Sequence, residues 1–239
     1  MVLTRDDFRR RIEYSICQQF AGEEEVRAFC RRARDAGVGV ACFNPVNIPL
    51  AVDELGGSGV EISANIGFPF GSHHAEVKAL ETRRAVEEGA TQIDMVINVG
   101  ALRSGRDRVV DEEIRGVVQA AGGRIVKTII ETWVLFPRQI ERACRIAEEA
   151  GAHMVKTTTG VRTQYLDMIR KGARGAEIED IRLMRRVLGP STRIKASGGI
   201  YTLDDALDLI RAGADHLGMS RGEEVVREFA RRYGEKVEL

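Results

Sequence analysis

No stretch of this sequence approaches the roughly 18 apolar residues that a membrane-spanning helix needs, so no membrane span is expected. The opening residues, MVLTRDDFRRRIEY, are charged and lack the apolar core of a signal peptide. Charge of one sign is also missing: 36 Lys and Arg offset 36 Asp and Glu, which removes the basic field that nucleic acid or an anionic membrane would require. The four cysteines, Cys17, Cys30, Cys42 and Cys144, form no C-x-x-C pair, and free thiols in a cytoplasmic protein are expected. Histidines number four; His73 and His74 are adjacent, and no other His, Cys or Asp cluster has ligand spacing. No metal and no cofactor are therefore expected, and His73 and His74 read as a solvated loop leading into a helix. Linkers and low-complexity segments are absent too, so residues 1–239 are expected to form one domain.

What is present is a repeat of strand-length apolar runs: RIEYSIC at 11, VGVACFN at 38, VEISANIGF at 60, QIDMVINVG at 92, RIVKTIIET at 124, HMVKTTTG at 153, RIKASGGI at 193 and DHLGMSRG at 215. Their centres lie mostly about 23 to 40 residues apart, the interval of βα units. Amphipathic helices fill the gaps. GEEEVRAFCRRARDAG sets Val26, Phe29, Cys30 and Ala33 on one face, with acids early and Gly37 at the end. HHAEVKALETRRAVEEGA repeats the plan with Val77, Leu80 and Val86 as its apolar face and Gly89 as its stop. RQIERACRIAEEAGA and TLDDALDLIRAGAD follow, each closing on a glycine suited to a left-handed cap. Eight such units predict an α/β fold, a (β/α)8 TIM barrel with its chemistry at the C-terminal ends of the strands. A doubly wound open sheet is the alternative.

Three ionisable residues fall inside the runs: Asp94 in the fourth, Lys156 in the sixth and Lys195 in the seventh. Alternate strand residues face the barrel interior, so all three can converge there. Burial and a neighbouring ammonium both lower a lysine pKa from its reference of about 10.4. A neutral amine attacks a carbonyl to form a Schiff base, and a carboxylate such as Asp94 moves the protons. Two lysines and an acid are what an enamine aldolase needs. Gly198 and Gly199 follow Lys195, while Ser220 and Arg221 follow the eighth run, and barrels often build phosphate sites from these two loops.

The stretches NIGFPFGSHHAEVKALETRRAVEEGATQIDMVINVGAL, IIET, GAHMVKTTTG and IKASGGIYTLDDALDLIRAGA resemble deoxyribose-phosphate aldolase, a metal-independent class I aldolase family. The likeness runs from about residue 38 to 222. It implies that Lys156 is the Schiff-base lysine, that Lys195 perturbs it, and that Asp94 relays protons. It also implies that Cys42 lies near the pocket, that Gly198, Gly199 and Ser220 contact phosphate, and that Thr159 and Gly160 bind substrate. The implied reaction is reversible cleavage of 2-deoxyribose 5-phosphate into acetaldehyde and glyceraldehyde 3-phosphate. A homo-oligomer, dimer or tetramer, goes with it.

Departures from the family pattern cluster where substrate would lie. The usual first strand reads I-D-x-T-L-L; here IEYSIC has Glu13 and Ser15, both expected at the strand mouth, with the longer acid reaching about one methylene further in. The loop GVRTQYLDMIRKGARGAEIED is enlarged and basic. Tyr201 stands where an arginine is usual, and Arg221 replaces a serine, where it is expected to hold an anionic group. A divergent aldolase with another donor or acceptor therefore stays open, as does a phosphosugar isomerase or synthase on the same barrel. Glu131 is either structural or paired with a lysine such as Lys127. Trp133 and Phe136 either cap the pocket or form a subunit contact. Tyr233, short of the terminus, carries no supported role.

Overall fold

The computed structural model describes residues 2–162, 169, 172 and 175–239. Eight parallel strands close into a barrel: β2 (Ile12–Ile16), β3 (Val40–Phe43), β4 (Glu61–Ile66), β5 (Gln92–Val96), β6 (Ile125–Ile129), β7 (Met154–Lys156), β8 (Arg193–Ser197) and β9 (His216–Met219), with β9 pairing back onto β2. Every one falls within a run read from the sequence. Helices cover the outside: α2 (Glu23–Ala36), α3 (Ile48–Leu55), α4 (Ala75–Glu87), α5 (Val99–Arg103), α6 (Asp107–Ala120), α7 (Pro137–Glu149), α8 (Ile178–Val187), α9 (Leu203–Ala212) and α10 (Gly222–Tyr233). A short helix α1 (Arg5–Arg11) precedes the barrel, and the end strands β1 (Val2–Thr4) and β10 (Lys236–Glu238) pair antiparallel.

Local chemistry explains the helix limits. The Gly22 N–H donates to the Glu25 carboxylate at 2.7 Å, and Gly37 ends α2 in the left-handed region at φ 63°. Val26, Phe29, Cys30 and Ala33 are buried, as their spacing predicts. On α9, Thr202 and Asp205 cap each other reciprocally before Gly213 stops the helix. Tyr233 packs edge-on against Phe229, which stacks on Phe8 of α1.

One helix turns differently from its apolar pattern. On α4, Val77 and Leu80 are exposed and Val86 is half-buried, while Lys78, Thr82 and Ala85 face the barrel. Lys78 is the reason. Its ammonium donates to the Glu113 carboxylate at 2.7 Å and to the Val96 carbonyl at 2.8 Å, and Glu113 accepts the Asn98 N–H. Burial lowers the Lys78 pKa and raises that of Glu113, so the pair survives through its mutual hydrogen bonds. The bonds to Val96 and Asn98 hold the upper end of β5, the strand that carries Asp94.

Candidate active site

The barrel interior holds a polar cluster in which every charged group is nearly or wholly out of solvent. Asp94 on β5 faces three lysines. Its Oδ2 lies 2.7 Å from Lys156 Nζ and 2.6 Å from Lys195 Nζ; its Oδ1 lies 3.0 Å from Lys127 Nζ and accepts from Ser63 at 2.9 Å. Glu13 on β2 binds Lys127 and Lys195 through Oε2, and its Oε1 is 3.2 Å from His216 Nδ1. Strand register makes these meetings unavoidable: Lys156 sits beside Lys195 across β7 and β8, and Asp94 beside Lys127 across β5 and β6.

Three ammoniums thus face two carboxylates. Burial alone raises the pKa of Glu13, but Lys127 and Lys195 outweigh it and hold the carboxyl below its usual range; Asp94 is lowered by the same contest, with Lys156 added. Burial likewise opposes charge on Lys195, and Asp94 and Glu13 overcome it, holding its ammonium well above the ordinary lysine value. Lys127 and Lys195 each touch both carboxylates, whereas Lys156 touches Asp94 alone. Lys156 is also the lysine of the three with measurable exposure, at 5%. Among the described residues the cluster holds one more lysine than carboxylates, and the least engaged of the three is Lys156.

Above it, at the C-terminal ends of the strands, opens a cavity of about 270 Å³. Ser15, Cys17, Gln18 and Gln19 line it from the end of β2, Thr159, Gly160 and Val161 from the segment after β7, and Ser197, Gly198, Gly199 and Tyr201 from the end of β8 onward. Gly218, Met219 and Ser220 complete the wall. Two of the glycines are sterically required. A Cβ at Gly218 would lie 2.9 Å from Lys195 Cε, in the path of that side chain, and one at Gly198 (φ 87°) would meet Thr158 Oγ1 at 2.5 Å.

The residues singled out in the sequence divide into three groups. Lys156, Lys195, Asp94, Glu13 and Cys42 come together in the interior. Ser15, Thr159, Gly160, Gly198, Gly199 and Ser220 line the cavity. Arg221 joins neither: its side chain is half-exposed and its Nε donates to Glu224 on the first turn of α10 at 2.8 Å. Glu13 is not at the strand mouth but fully buried two residues below Ser15, because its longer chain reaches the lysines. Cys42 also lies beneath the cavity, 3.7 Å from Glu13 and 3.9 Å from Lys195, and burial pushes its thiol up to about 12. Ten residues of the enlarged basic loop, 163–168, 170, 171, 173 and 174, lie outside the described residues.

Glu131 does not pair with Lys127. Its carboxylate accepts the Thr159 N–H at 3.3 Å, its backbone is left-handed at φ 60°, and burial raises its pKa to about 7. Trp133 is buried, its indole N–H donating to the Gly175 carbonyl at 2.8 Å, whereas Phe136 is exposed. His73 and His74 are exposed. Among the described residues, Glu13, Cys42 and Asp94 are the metal-capable side chains whose ligand atoms lie within 4.8 Å of one another, and ammonium groups already occupy the space between the carboxylates. Sequence reasoning named Lys127 only as a partner for Glu131 and left it out of the charged cluster, although RIVKTIIET carries a lysine in a strand just as the sixth and seventh runs do. It also passed over Cys17, where this strand departs from the final leucine of the family pattern.

Comparison with known proteins agrees with this geometry. A family profile described as DeoC/LacD family aldolase matches residues 8–227. A deoxyribose-phosphate aldolase of Streptococcus sanguinis is 40% identical over 216 residues, covering 90% of this chain and 94% of that protein. One from a Thermotoga species is 41% identical over 229 residues, covering 96% and 88%. Among solved structures, an aldolase named QR15 superposes with a TM-score of 0.87 at 32% identity, covering 95% of this chain and 97% of that one. A tetrameric deoxyribose phosphate aldolase from Aeropyrum pernix gives 0.83 at 31% identity, covering 94% and 92%.

Proposed function

The chain belongs to the DeoC/LacD family of aldolases, and within it we propose a class I enzyme that cleaves 2-deoxyribose 5-phosphate to acetaldehyde and glyceraldehyde 3-phosphate through a Schiff base on Lys156. The observation that carries this reading is the excess of one ammonium in a sealed cluster. Lys127 and Lys195 satisfy Glu13 and Asp94, which frees Lys156 to react as an amine. Asp94 Oδ2, 2.7 Å away, takes up and returns its protons.

The open-chain sugar aldehyde accepts the Lys156 nitrogen, and the carbinolamine loses water to give a protonated imine. That imine draws the electron pair of the breaking C2–C3 bond as the C3 hydroxyl gives up its proton. Glyceraldehyde 3-phosphate departs; the enamine is protonated at carbon and hydrolysed to acetaldehyde. Lys195, held charged by its two carboxylates, places a fixed positive charge beside Lys156. Gly198, Gly199 and Ser220 hold the phosphate through backbone N–H groups at the loops entering α9 and α10.

A homo-oligomer belongs to the same reading, supported by the exposed Val77 and Leu80 on α4 and by the tetrameric neighbour. Among the described residues no helix is long and apolar enough to cross a membrane, and a cytoplasmic location fits the sugar-phosphate substrate. Incubation with 2-deoxyribose 5-phosphate, followed by coupled detection of both aldehydes, tests the substrate. Release of neither product would remove deoxyribose phosphate while leaving the family standing.

A further inference from the structure

Asn65 stands on the inward face of β4 at 1% exposure, and its side-chain carbonyl Oδ1 has no hydrogen-bond partner among the described residues. Its Nδ2 lies 3.0 Å from Cys17 Sγ. Buried polar atoms in folded proteins are nearly always paired, so an orphan of this kind marks a group that something else completes. Turning the amide over gives Cys17 to the oxygen and leaves the NH2 unmatched, so either orientation keeps one polar atom open.

The location is informative. Asn65 sits beside Asp94 across β4 and β5, and Asp94 Oδ2 is the atom that binds Lys156 Nζ at 2.7 Å. Cys17 links the amide to the cavity it lines. The amide therefore lies one strand from the carboxylate that binds the reactive amine, and a donor bearing only a methyl group leaves its orphan open. A hydroxyl both donates and accepts, so it meets the amide in either orientation.

We infer that this chain also accepts donors with a hydroxyl on the carbon next to the carbonyl, of the glycolaldehyde class, that hydroxyl completing the hydrogen bonding of Asn65. The inference rests on Lys156 as the Schiff-base lysine. The amine adds to the donor carbonyl and water leaves, giving a protonated imine. A base removes a proton from the hydroxylated carbon, and the freed electron pair forms the enamine double bond. That carbon adds to the acceptor carbonyl, whose oxygen takes up a proton, and hydrolysis releases a 2,3-dihydroxy aldehyde. No oxidant or reductant enters. The enzyme thereby makes and cleaves sugar phosphates hydroxylated at C2 as well as the deoxy sugar.

The test compares kcat/KM for glycolaldehyde and acetaldehyde, with glyceraldehyde 3-phosphate as acceptor, in the wild type and in Asn65→Val. The glycolaldehyde-to-acetaldehyde ratio is read, which cancels differences in donor hydration. It should fall at least about tenfold in the variant, the discrimination expected when a hydroxyl loses its buried partner. An unchanged ratio overturns the inference. A second measurement needs no variant: wild-type enzyme and free Nα-acetyl-lysine are each reduced with borohydride in a mixture of the two donors. Enrichment of the hydroxylated label on Lys156 over the proportion on free lysine supports the inference, and equal proportions overturn it. Absence of either label from Lys156 overturns the Schiff-base reading itself.

Discussion

Replacing Lys195 with leucine separates the electrostatic role of that residue from its structural one. Lys156 and Lys195 both bind Asp94 Oδ2, at 2.7 and 2.6 Å, so their nitrogens are at most about 5 Å apart; at an effective dielectric of about 20, like charges at that range repel by about 3 kcal/mol. Removing Lys195 removes that repulsion, a difference between variant and wild type worth a factor of roughly 10². Without Lys195, two lysines remain for two carboxylates, and Lys156 becomes a cation that Asp94 needs. Because Lys127 still reaches Glu13 and Asp94, no carboxylate is stranded, and Lys195→Leu should fold. The assay is the rate of deoxyribose 5-phosphate cleavage from pH 6 to 10. Activity near neutrality should fall by roughly 10²-fold and recover on the alkaline side. A loss that alkaline pH does not recover refutes the reasoning, as does a neutral rate close to wild type.

Glu13→Gln leaves Lys127 and Lys195 short of a carboxylate and should cost about 3 kcal/mol or more in denaturant unfolding. Because the pKa values of Glu13 and Asp94 are lowered on folding, their stabilisation is complete above their unfolded values of 4.5 and 3.8 and is lost as pH falls below them. Wild type should therefore weaken steeply in that acid range, and Glu13→Gln less so, as read from unfolding midpoints. Glu131 has the opposite sign: its pKa rises from 4.5 to about 7, so the folded state binds the extra proton and stability declines as pH climbs between those values. Glu131→Gln should flatten that decline, measured by melting temperature across the interval. Gly198→Ala forces a Cβ to 2.5 Å from Thr158 Oγ1 at a left-handed φ, and should raise KM for the phosphorylated substrate while lowering stability by about 1–3 kcal/mol.

The barrel was legible because each strand is an apolar run of ordinary length between helices with recognisable caps, as with Gly22 to Gly37 around α2. β1 and β10 were not, since three residues each give no periodicity and their pairing joins the two ends of the chain. The face of α4 was misread for a physical reason: apolar spacing points to Val77 and Leu80, but a buried ion pair with Glu113 turns Lys78 inward instead. Lys156, Lys195 and Asp94 stand out as charges within strands, and Lys127 meets the same criterion but is weighed only as a partner for Glu131. Glu13 needed register to place it, because only strand pairing shows which carboxylate reaches Lys127 and Lys195. Arg221 had a competitor in plain view, Glu224 one helical turn on, which captures its guanidinium.

The central claim, that Lys156 carries the imine, is tested most directly by borohydride reduction of the enzyme with acetaldehyde, followed by peptide mass mapping. A reduced two-carbon label on Lys156 is the predicted result, with Lys127 and Lys195 unlabelled because both stay engaged by Glu13 and Asp94. A label found mainly on either of those lysines would contradict it, and so would full turnover of substrate with no covalent label at all.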